Sequence, residues 1–289
     1  MIGGVRVGHW TDRAARTGCT VVRFPEGAVA SGEVRGGAPA TREMELLAPH
    51  RLVQHIDAVV LSGGSAYGLA AADGVMRVLE DEGQGFPTRA GVVPIVVGLA
   101  IFDLGVGDPS VRPGPGEGAV ACLAAVEGEV ETGLVGAGTG ATVGKWRGAH
   151  GAVDGGLGVA VRATGDIEVA ALAVVNAFGD VLDPGEVPPP VVDTDPTGQA
   201  FGARGDTAFG NTVIGVVVTN ARLEKTGCFL VAQGGHDGLA RAVHPPHTTV
   251  DGDAVVAAAL GRVEAPVDAV RALAVEAFAA AVRSAVTDS

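Results

Sequence analysis

The feature that most constrains the fold of this chain is the abrupt junction at Thr212. Residues 180–209 contain the segments DPGEVPPP, DTDPTG and ARGD and show almost no periodicity. About thirty residues without a regular element are unusual inside a compact domain, so this stretch predicts a functional loop or a linker. The chain then continues as TVIGVVVT, in which every residue except the glycine is Val, Ile or Thr. That composition predicts a buried β-strand that begins at Thr212.

Strand and helix patterns alternate along the rest of the chain. Strands are predicted at Cys19–Phe24, Ala58–Leu61, Val92–Val97, Gly158–Thr164, Ile167–Val175 and Phe229–Ala232. The fourth and fifth form a hairpin around Gly165-Asp166, and the last is the expected hairpin partner of the Thr212 strand. Helices are predicted at about Tyr67–Glu82, Gly118–Glu127, Asp253–Leu260 and Pro266–Val286. The sequence alone therefore indicates a mixed α and β protein.

Composition limits both the core and the partners. Of the 289 residues, 46 are glycine and only 4% are aromatic, so the core must be built from Val, Ala, Leu and Ile. The formal net charge is −13 and no basic residues cluster, which argues against nucleic-acid binding. The longest apolar stretch, Val92–Ile101, is about half as long as a membrane span. We therefore expect a cytoplasmic protein without a membrane segment or a signal peptide.

Neither the cysteines nor the histidines predict a metal site. The three cysteines are too far apart for a CxxC site and too few for a disulfide framework: Cys19, Cys122 and Cys228. Three histidines near Asp237 are candidate ligands: His236, His244 and His247. His244-Pro-Pro-His247 cannot be helical, so structural or surface roles are favoured for these histidines. We expect no metal and no cofactor.

Several glycine-rich segments resemble known site motifs without completing them. Residues 63–68 (GGSAYG) resemble a nucleophile elbow, but Tyr67 stands where G-x-S-x-G needs glycine. Residues 136–141 (GAGTGA) match a dinucleotide pattern, but the next residues do not continue as a helix. Gly144-Lys145 lacks the remaining P-loop residues. The segment RGGAPATRE at 35–43 is a demanding loop whose arginines can clamp a carboxylate or pair with Glu43 or Glu45.

The junction itself has a specific chemical meaning. If the Asn211–Thr212 bond is cut, Thr212 gains a free α-amine beside its hydroxyl. The amine can then act as the general base for that hydroxyl, as in enzymes with N-terminal nucleophiles. The same hydroxyl can make the cut by attacking the preceding carbonyl, giving an ester that water opens. The alternative is that Asn-Thr merely begins a strand.

Four polar residues are candidate partners of Thr212. Lys145 lies among small residues (GTGATVGKW), where a partly buried lysine can transfer a proton or stabilise an anion. A surface lysine at a strand edge is the alternative. Asn176 ends an apolar strand, and its amide can donate to an oxyanion, although polar residues often end strands. Asp251 and Asp253 precede the predicted helix, where Asp253 is a natural N-cap and either carboxylate can hold the nucleophile or Lys145.

Long segments of the chain resemble one enzyme family over nearly the whole length. They are VGHWTD, TGCTVV, RGGAPATRE, LSGGSAYGL, VPIVVGLAIFDL, GAGTGATVGKWRG, VVNAFGDVLDP, GNTVIGVVVTNA and DGD. The sequence resembles the L-aminopeptidase/D-esterase family of N-terminal-nucleophile-like hydrolases, and most of all its nylon oligomer hydrolase branch. The resemblance implies an α+β fold with αββα-like layers in a single domain, residues 1–289. It also implies autocleavage between Asn211 and Thr212 into residues 1–211 and 212–289.

The resemblance also implies roles for single residues. Thr212 is the nucleophile, Asp251 and Asp253 orient it, and Lys145 and Asn176 stabilise developing negative charge. The substrate pocket is expected to include Ser65, Tyr67, Phe102, Gly138 and Thr139. Phe102 stands where the family often has Tyr, so a hydroxyl offered to the substrate is missing, which puts substrate specificity in doubt.

Three activities stay open at this point. The first is a self-processing amidase or peptidase acting on a small-molecule amide or a short peptide, without a nucleic-acid or membrane partner. The second is an acyltransferase of the ornithine acetyltransferase type, and the third is an uncleaved, non-catalytic relative. The resemblance further implies a homo-oligomer, a tetramer.

Overall fold

Two five-stranded sheets form the centre of the computed structural model, which describes residues 1–147, 151–188 and 210–287. The first sheet contains, in spatial order, β1 (Arg6–Asp12), β2 (Thr17–Arg23), β5 (Ala58–Ser62), β8 (Val96–Ala100) and β4 (Thr41–Arg42). The second contains β11 (Gly156–Thr164), β12 (Ile167–Asn176), β14 (Thr212–Ala221), β16 (Ala254–Val263) and β3 (Val29–Val34). The pairs β5–β8 and β14–β16 are parallel, and the other neighbours are antiparallel.

Helices and short ribbons surround the sheets. The α-helices of the described chain are α1 (Ala71–Asp81), α2 (Pro115–Leu123), α3 (Lys225–Ala240) and α4 (Val267–Thr287). The ribbons pair β6 (Phe86–Thr88) with β7 (Gly91–Val93), β9 (Thr142–Val143) with β10 (Val153–Asp154), and β13 (Asp180–Val181) with β15 (Val243–His244). Short 3-10 helices occupy Met44–Leu47, Ser65–Ala70, Gly136–Gly138 and Lys145–Arg147. None of the helices in this part of the chain combines the length and apolar character that a membrane span requires.

Three apolar cores hold four layers together. The central core lies between the sheets and is built from residues such as Leu61, Leu99, Leu172 and Ile214. A second core packs α3 and α4 on the outer face of the second sheet, and a third packs α1 and α2 on the first sheet. Because both faces of the second sheet are covered, every residue of β14 is buried. The mixed α and β class predicted from sequence is confirmed, and the layers run helices, sheet, sheet, helices.

The strongest sequence predictions are confirmed. The strand predicted from Thr212 is β14, which begins at that residue and runs in the middle of its sheet. The predicted hairpin around Gly165-Asp166 is β11 and β12, in which Thr164 pairs with Ile167. The closing helix is α4. Long β-branched runs and a turn of two residues carry enough local information to fix an element.

Two predicted elements are wrong. Residues Asp253–Leu260 do not form a helix: β16 begins at Ala254 and pairs with both β14 and β3. Asp253 is therefore not a helix N-cap. The Ala-rich sequence favours a helix locally, but a position between two neighbouring strands decides for the strand. Residues Phe229–Ala232 lie inside α3 rather than in a hairpin partner of β14.

Smaller differences concern element boundaries. The predicted strand Val92–Val97 is divided between β7 and β8, because Pro94 has no N–H to donate to a ladder. The helix predicted at Gly118–Glu127 is α2, which begins earlier, with Pro115 in its first turn. The helix predicted from Tyr67 begins as a 3-10 segment and becomes α1 at Ala71. Most of the predicted loop, residues 189–209, lies outside the described residues.

Candidate active site

The candidate site lies at one edge of the second sheet, where three strands begin or end. Asn176 is the last residue of β12 and pairs with Thr212, the first residue of β14. Asn211 forms a parallel bridge with Asp251, shortly before β16 begins. The sheet order therefore brings together residues that are far apart in sequence, including three of the predicted site residues.

Thr212 is buried against the carbonyl group of its own preceding residue. Only 4% of its surface is exposed, and its Oγ1 donates a hydrogen bond to the carbonyl oxygen of Asn211. The backbone N–H of Gly252 donates to the same oxygen at 3.0 Å. The Asn211 side chain is also buried, and neither its Oδ1 nor its Nδ2 has a hydrogen-bond partner among the described residues. The predicted nucleophile thus lies beside the carbonyl that self-cleavage would attack.

Lys145 and Asn176 hold the carbonyl group one residue earlier. The Lys145 Nζ donates to the carbonyl oxygen of Gly210 at 2.9 Å, to Asn176 Oδ1 at 2.9 Å and to the Asn176 carbonyl oxygen at 3.2 Å. The Asn176 Nδ2 donates to the same Gly210 oxygen at 2.8 Å. In the intact chain the two predicted oxyanion donors therefore bind the Gly210 carbonyl, and the Asn211 carbonyl has a different donor.

Asp253 lies between β14, the strand that begins at Thr212, and a histidine. Its Oδ1 accepts from the backbone N–H of Val213, the residue after Thr212, at 2.7 Å. Its Oδ2 lies 2.6 Å from His247 Nδ1. The Asp253 carboxylate, 1% exposed, thus fixes the backbone that carries Thr212.

Asp251 is held by the loop on the other side. Its Oδ1 accepts from the N–H of Phe178 at 3.2 Å, and its Oδ2 accepts from the N–H of Thr248 at 2.9 Å and from the Thr248 hydroxyl. Burial, together with the Asp253 carboxylate nearby, raises the pKa of Asp251 to about 6. This carboxyl group can therefore change its protonation state close to neutral pH.

The ammonium group of Lys145 is also perturbed. The residue as a whole is half-buried, and three oxygen atoms surround its Nζ. Burial lowers the pKa of Lys145 to about 7, although the Asp251 carboxylate opposes this change. The site therefore contains an acid and a base whose pKa values both lie near neutrality, which is typical of catalytic groups.

The predicted pocket residues have different surroundings. The Phe102 carbonyl oxygen accepts from Asn176 Nδ2 at 3.1 Å, and its ring lies 3.2 Å from the position of a Cβ at Gly210. Phe102 therefore borders the site. The Ser65 N–H donates to the neighbouring Ile101 carbonyl oxygen at 2.9 Å.

The other three predicted pocket residues have no described contact with Thr212. Thr139 is buried and its hydroxyl donates to the Gly136 carbonyl oxygen at 2.6 Å, while the Gly138 N–H donates within the same turn. Tyr67 is 63% exposed, and the Arg112 guanidinium lies 4.1 Å from its ring centroid. Their place in a substrate pocket stays a prediction.

Sequence reasoning missed His247 and Gly252 as parts of the site. His247 contacts Asp253, and its ring packs edge-on against His236 with centroids 5.0 Å apart. The sequence could have indicated both residues by their position alone: Gly252 lies within the DGD segment, and His247 lies four residues before it. Among the described residues, no three His, Cys, Asp or Glu side chains are grouped so that they could hold a metal ion.

Asp103 is a further buried carboxylate that the sequence did not single out. Its Oδ2 accepts from the Thr17 hydroxyl and its Oδ1 from the N–H of Gly64, both at 2.7 Å. Burial raises the pKa of Asp103. Asp103, the residue after Phe102, thus connects the turn that follows β5 to the start of β2.

The arginines of the RGGAPATRE loop pair elsewhere than expected. Arg35 binds Glu33 at 2.9 Å and lies 3.7 Å from Asp237, and Arg42 binds Asp73 at 2.7 Å. The alternative pairing with Glu43 or Glu45 is therefore not found among the described residues, and Glu45 pairs with Arg51 instead.

Comparison with known proteins identifies the family of the chain. The model of peptidase family S58 matches residues 2–289. An uncharacterized aminopeptidase of Mycobacterium tuberculosis (strain H37Rv) is 43% identical, over 93% of this chain and 83% of its own. A 6-aminohexanoate-oligomer endohydrolase of Kocuria sp. (strain KY2) is 30% identical, over 91% of this chain and 75% of its own.

A solved structure has the same fold. The L-aminopeptidase D-Ala-esterase/amidase from Ochrobactrum anthropi, described as a variant of the Ntn hydrolase fold, gives a TM-score of 0.71 at 18% identity, covering 98% of this chain and 84% of that one.

The family match and the relatives of 30% identity or more define a hydrolase that acts on amide bonds. The chain belongs to peptidase family S58. The family resemblance stated from the sequence is thereby confirmed.

Proposed function

We propose that the protein is a self-processing amide hydrolase that cleaves its own Asn211–Thr212 bond and then uses Thr212 as an N-terminal nucleophile. One observation carries the proposal: the buried Thr212 hydroxyl lies against the Asn211 carbonyl group, at a strand end shared with Asn176 and close to Asp251 and Asp253. A threonine that only began a strand would not need buried, ionisable neighbours around the preceding peptide bond.

Cleavage would give residues 1–211 and 212–289 and a free α-amine on Thr212. In the mature enzyme this amine accepts the proton of the Thr212 hydroxyl as Oγ1 attacks the substrate carbonyl carbon. The substrate C–N bond breaks, the amine product leaves with that proton, and the acyl group stays on Oγ1. Water then attacks the ester, releases the acid and returns a proton to Oγ1.

Lys145 and Asn176 are suited to stabilise the substrate oxyanion in this scheme. Both already donate to one carbonyl oxygen, that of Gly210, at 2.9 and 2.8 Å. A substrate carbonyl that replaced Gly210 would meet the same two donors, one of them charged. Donors that are fixed before reaction stabilise developing charge without reorganisation.

The named relatives support two candidate substrate classes for the proposed hydrolase. The 43% identical relative is called an aminopeptidase and the 30% identical relative an oligomer endohydrolase, so both peptide N-termini and ω-amino acid oligomers are candidates. The higher identity favours release of N-terminal residues from short peptides. A panel of aminoacyl amides, short peptides and 6-aminohexanoate oligomers, with and without an added amine acceptor, separates these activities from acyl transfer.

The cleavage is tested by denaturing electrophoresis and intact-mass measurement of the purified chain. We expect two fragments that together exceed 28.6 kDa by one water, and a single chain for Thr212→Ala. A 1–211 fragment lighter by one water would show that the unpartnered Asn211 Nδ2 attacked its own carbonyl instead. Two results together would overturn the proposal: a wild-type chain that stays whole, and amide hydrolysis at the same rate by wild type and Thr212→Ala.

The assembly is a separate expectation. The tetramer implied by the family resemblance stays a prediction, which light scattering on the purified protein tests.

A further inference from the structure

The Asn211 carbonyl oxygen must carry negative charge twice during self-cleavage, and one backbone amide is placed to stabilise it. The Gly252 N–H donates to this oxygen at 3.0 Å, whereas Lys145 and Asn176 donate to the Gly210 oxygen. We propose that the Gly252 N–H is the oxyanion donor of self-cleavage, separate from the pair that serves substrate hydrolysis. This inference rests on the proposed function, because it concerns the step that creates the nucleophile.

The Gly252 amide is held rigidly on both sides. The carbonyl oxygen of Asp251 accepts from the Ala38 N–H at 2.9 Å, and that of Asp253 accepts from the Arg35 N–H at 2.8 Å. A Cβ on residue 252 would lie 2.3 Å from the Ala38 carbonyl oxygen, so only glycine fits without displacement. An amide fixed in this way needs no rearrangement when charge develops on its acceptor.

The RGGAP segment, which the proposed function leaves without a role, is the support for this amide. Gly36 has a φ of +87°, and a Cβ there would lie 2.3 Å from the Asp251 carbonyl oxygen. A Cβ on Gly37 would lie 2.2 Å from the Thr249 carbonyl oxygen. The two glycines allow this loop to approach the Asp251–Gly252 peptide closely enough to bind it.

The chemistry balances with the groups that are present. Thr212 Oγ1 bonds to the Asn211 carbonyl carbon, and the negative charge moves to the oxygen held by Gly252. Collapse breaks the C–N bond, and the hydroxyl proton ends on the new Thr212 amine. Water then adds to the same carbon, the same oxygen again becomes negative, and the ester C–O bond breaks. The products are an Asn211 carboxylate and Thr212 with a free hydroxyl.

The direct test replaces the Gly252 N–H by oxygen. Cell-free translation with a suppressor transfer RNA gives the full chain with Gly252→glycolic acid, and the 1–211 fragment is followed over time by mass spectrometry. We expect self-cleavage to slow by about a hundredfold or more, the usual effect of losing one oxyanion donor.

The matched control is Ala38→lactic acid. The Gly252 ester also weakens the Asp251 carbonyl as an acceptor for Ala38, and the control removes that hydrogen bond while leaving the Gly252 N–H in place. We expect this control to slow self-cleavage much less than the Gly252 ester does, because it loosens the support of the amide but keeps the donor. Equal rates for Gly252→glycolic acid and wild type, or equal slowing of both esters, would overturn the inference. A wild-type chain that never cleaves would instead overturn the proposed function together with it.

A second pair of variants needs only ordinary mutagenesis. Gly36→Ala places a methyl group against the Asp251 carbonyl, whereas Gly27→Ala introduces the same backbone strain, at a φ of +86°, with no atom within 4 Å. We expect slower self-cleavage in Gly36→Ala than in Gly27→Ala. Identical rates in two folded variants would contradict the role assigned to the RGGAP segment.

Discussion

Burial of the Lys145 ammonium group predicts a pH dependence of stability that one substitution removes. The pKa of Lys145 is lowered from 10.5 to about 7 because the group is buried. The unfolded chain keeps the ordinary lysine pKa, so between these values it binds a proton that the folded chain has released. The free energy of unfolding therefore rises with pH in this window, with a limiting slope of about 1.4 kcal/mol per pH unit.

The magnitude follows from the same linkage. At pH 7 the folded chain is half-protonated at Lys145, and at pH 9 it is almost fully deprotonated, while the unfolded chain stays protonated. Integration over that range gives about 2 kcal/mol of added stability from this one group. Below pH 7 the contribution levels off, because both states then carry the proton.

Urea unfolding at pH 7, 8 and 9 measures this contribution. The chains to compare are Thr212→Ala, which we expect to stay whole, and Thr212→Ala with Lys145→Met. Every other titrating group is present in both, so the change with pH in their stability difference isolates Lys145. Between pH 7 and 9 we expect the free energy of unfolding of the lysine chain to rise by about 2 kcal/mol relative to that of the methionine chain. Parallel stability curves would refute the reasoning and show that Nζ keeps an ordinary pKa.

The remaining predictions concern three side chains of the site. Self-cleavage should accelerate as pH rises through about 6, where Asp251 becomes a carboxylate able to accept a proton, and Asp251→Asn should abolish that limb in a quenched time course. His247→Ala leaves Asp253 with one fewer hydrogen bond, so kcat should fall by about tenfold with little change in KM, which steady-state kinetics would show. Phe102→Tyr adds a hydroxyl beside Gly210; we expect a KM change of about two- to tenfold that differs among amide substrates, and uniform KM values would contradict a pocket role.

The sequence predicts the elements whose own residues decide their structure. Seven of the first eight residues of β14 are Val, Ile or Thr, and the hairpin of β11 and β12 is closed by a Gly-Asp turn, so both are predicted correctly. The Ala-rich segment from Ala254 is different, because alanine favours a helix while its two neighbouring strands impose an extended conformation. The choice between helix and strand is decided here by residues that are distant in sequence, so a local pattern does not predict it.

The site residues likewise divide into those that the local sequence indicates and those that only the tertiary structure brings to the site. Thr212 could be singled out because the loop and the strand meet there. Lys145, Asn176 and the two aspartates were candidates from their local sequence, and the family resemblance implied their roles. The Gly252 amide carries no side-chain signal, and its contact with the Asn211 carbonyl depends on the parallel bridge between two chain segments. His247 looked like a surface residue until the turn before β16 placed its ring on Asp253.

If the proposed function holds, the position of the Gly210 carbonyl sets the order of the two reactions. In the intact chain it occupies both Lys145 Nζ and Asn176 Nδ2, while the Asn211 carbonyl is bound by Gly252. In the proposed scheme a substrate carbonyl needs Lys145 Nζ and Asn176 Nδ2 as donors. The Gly210 carbonyl must therefore release both donors before a substrate can be activated. In the proposed scheme, cutting the Asn211–Thr212 bond would separate Gly210 from β14 and create the α-amine at the same time. In the proposed scheme one event therefore supplies the base and clears the oxyanion donors, and we expect the intact chain to be inactive on substrates.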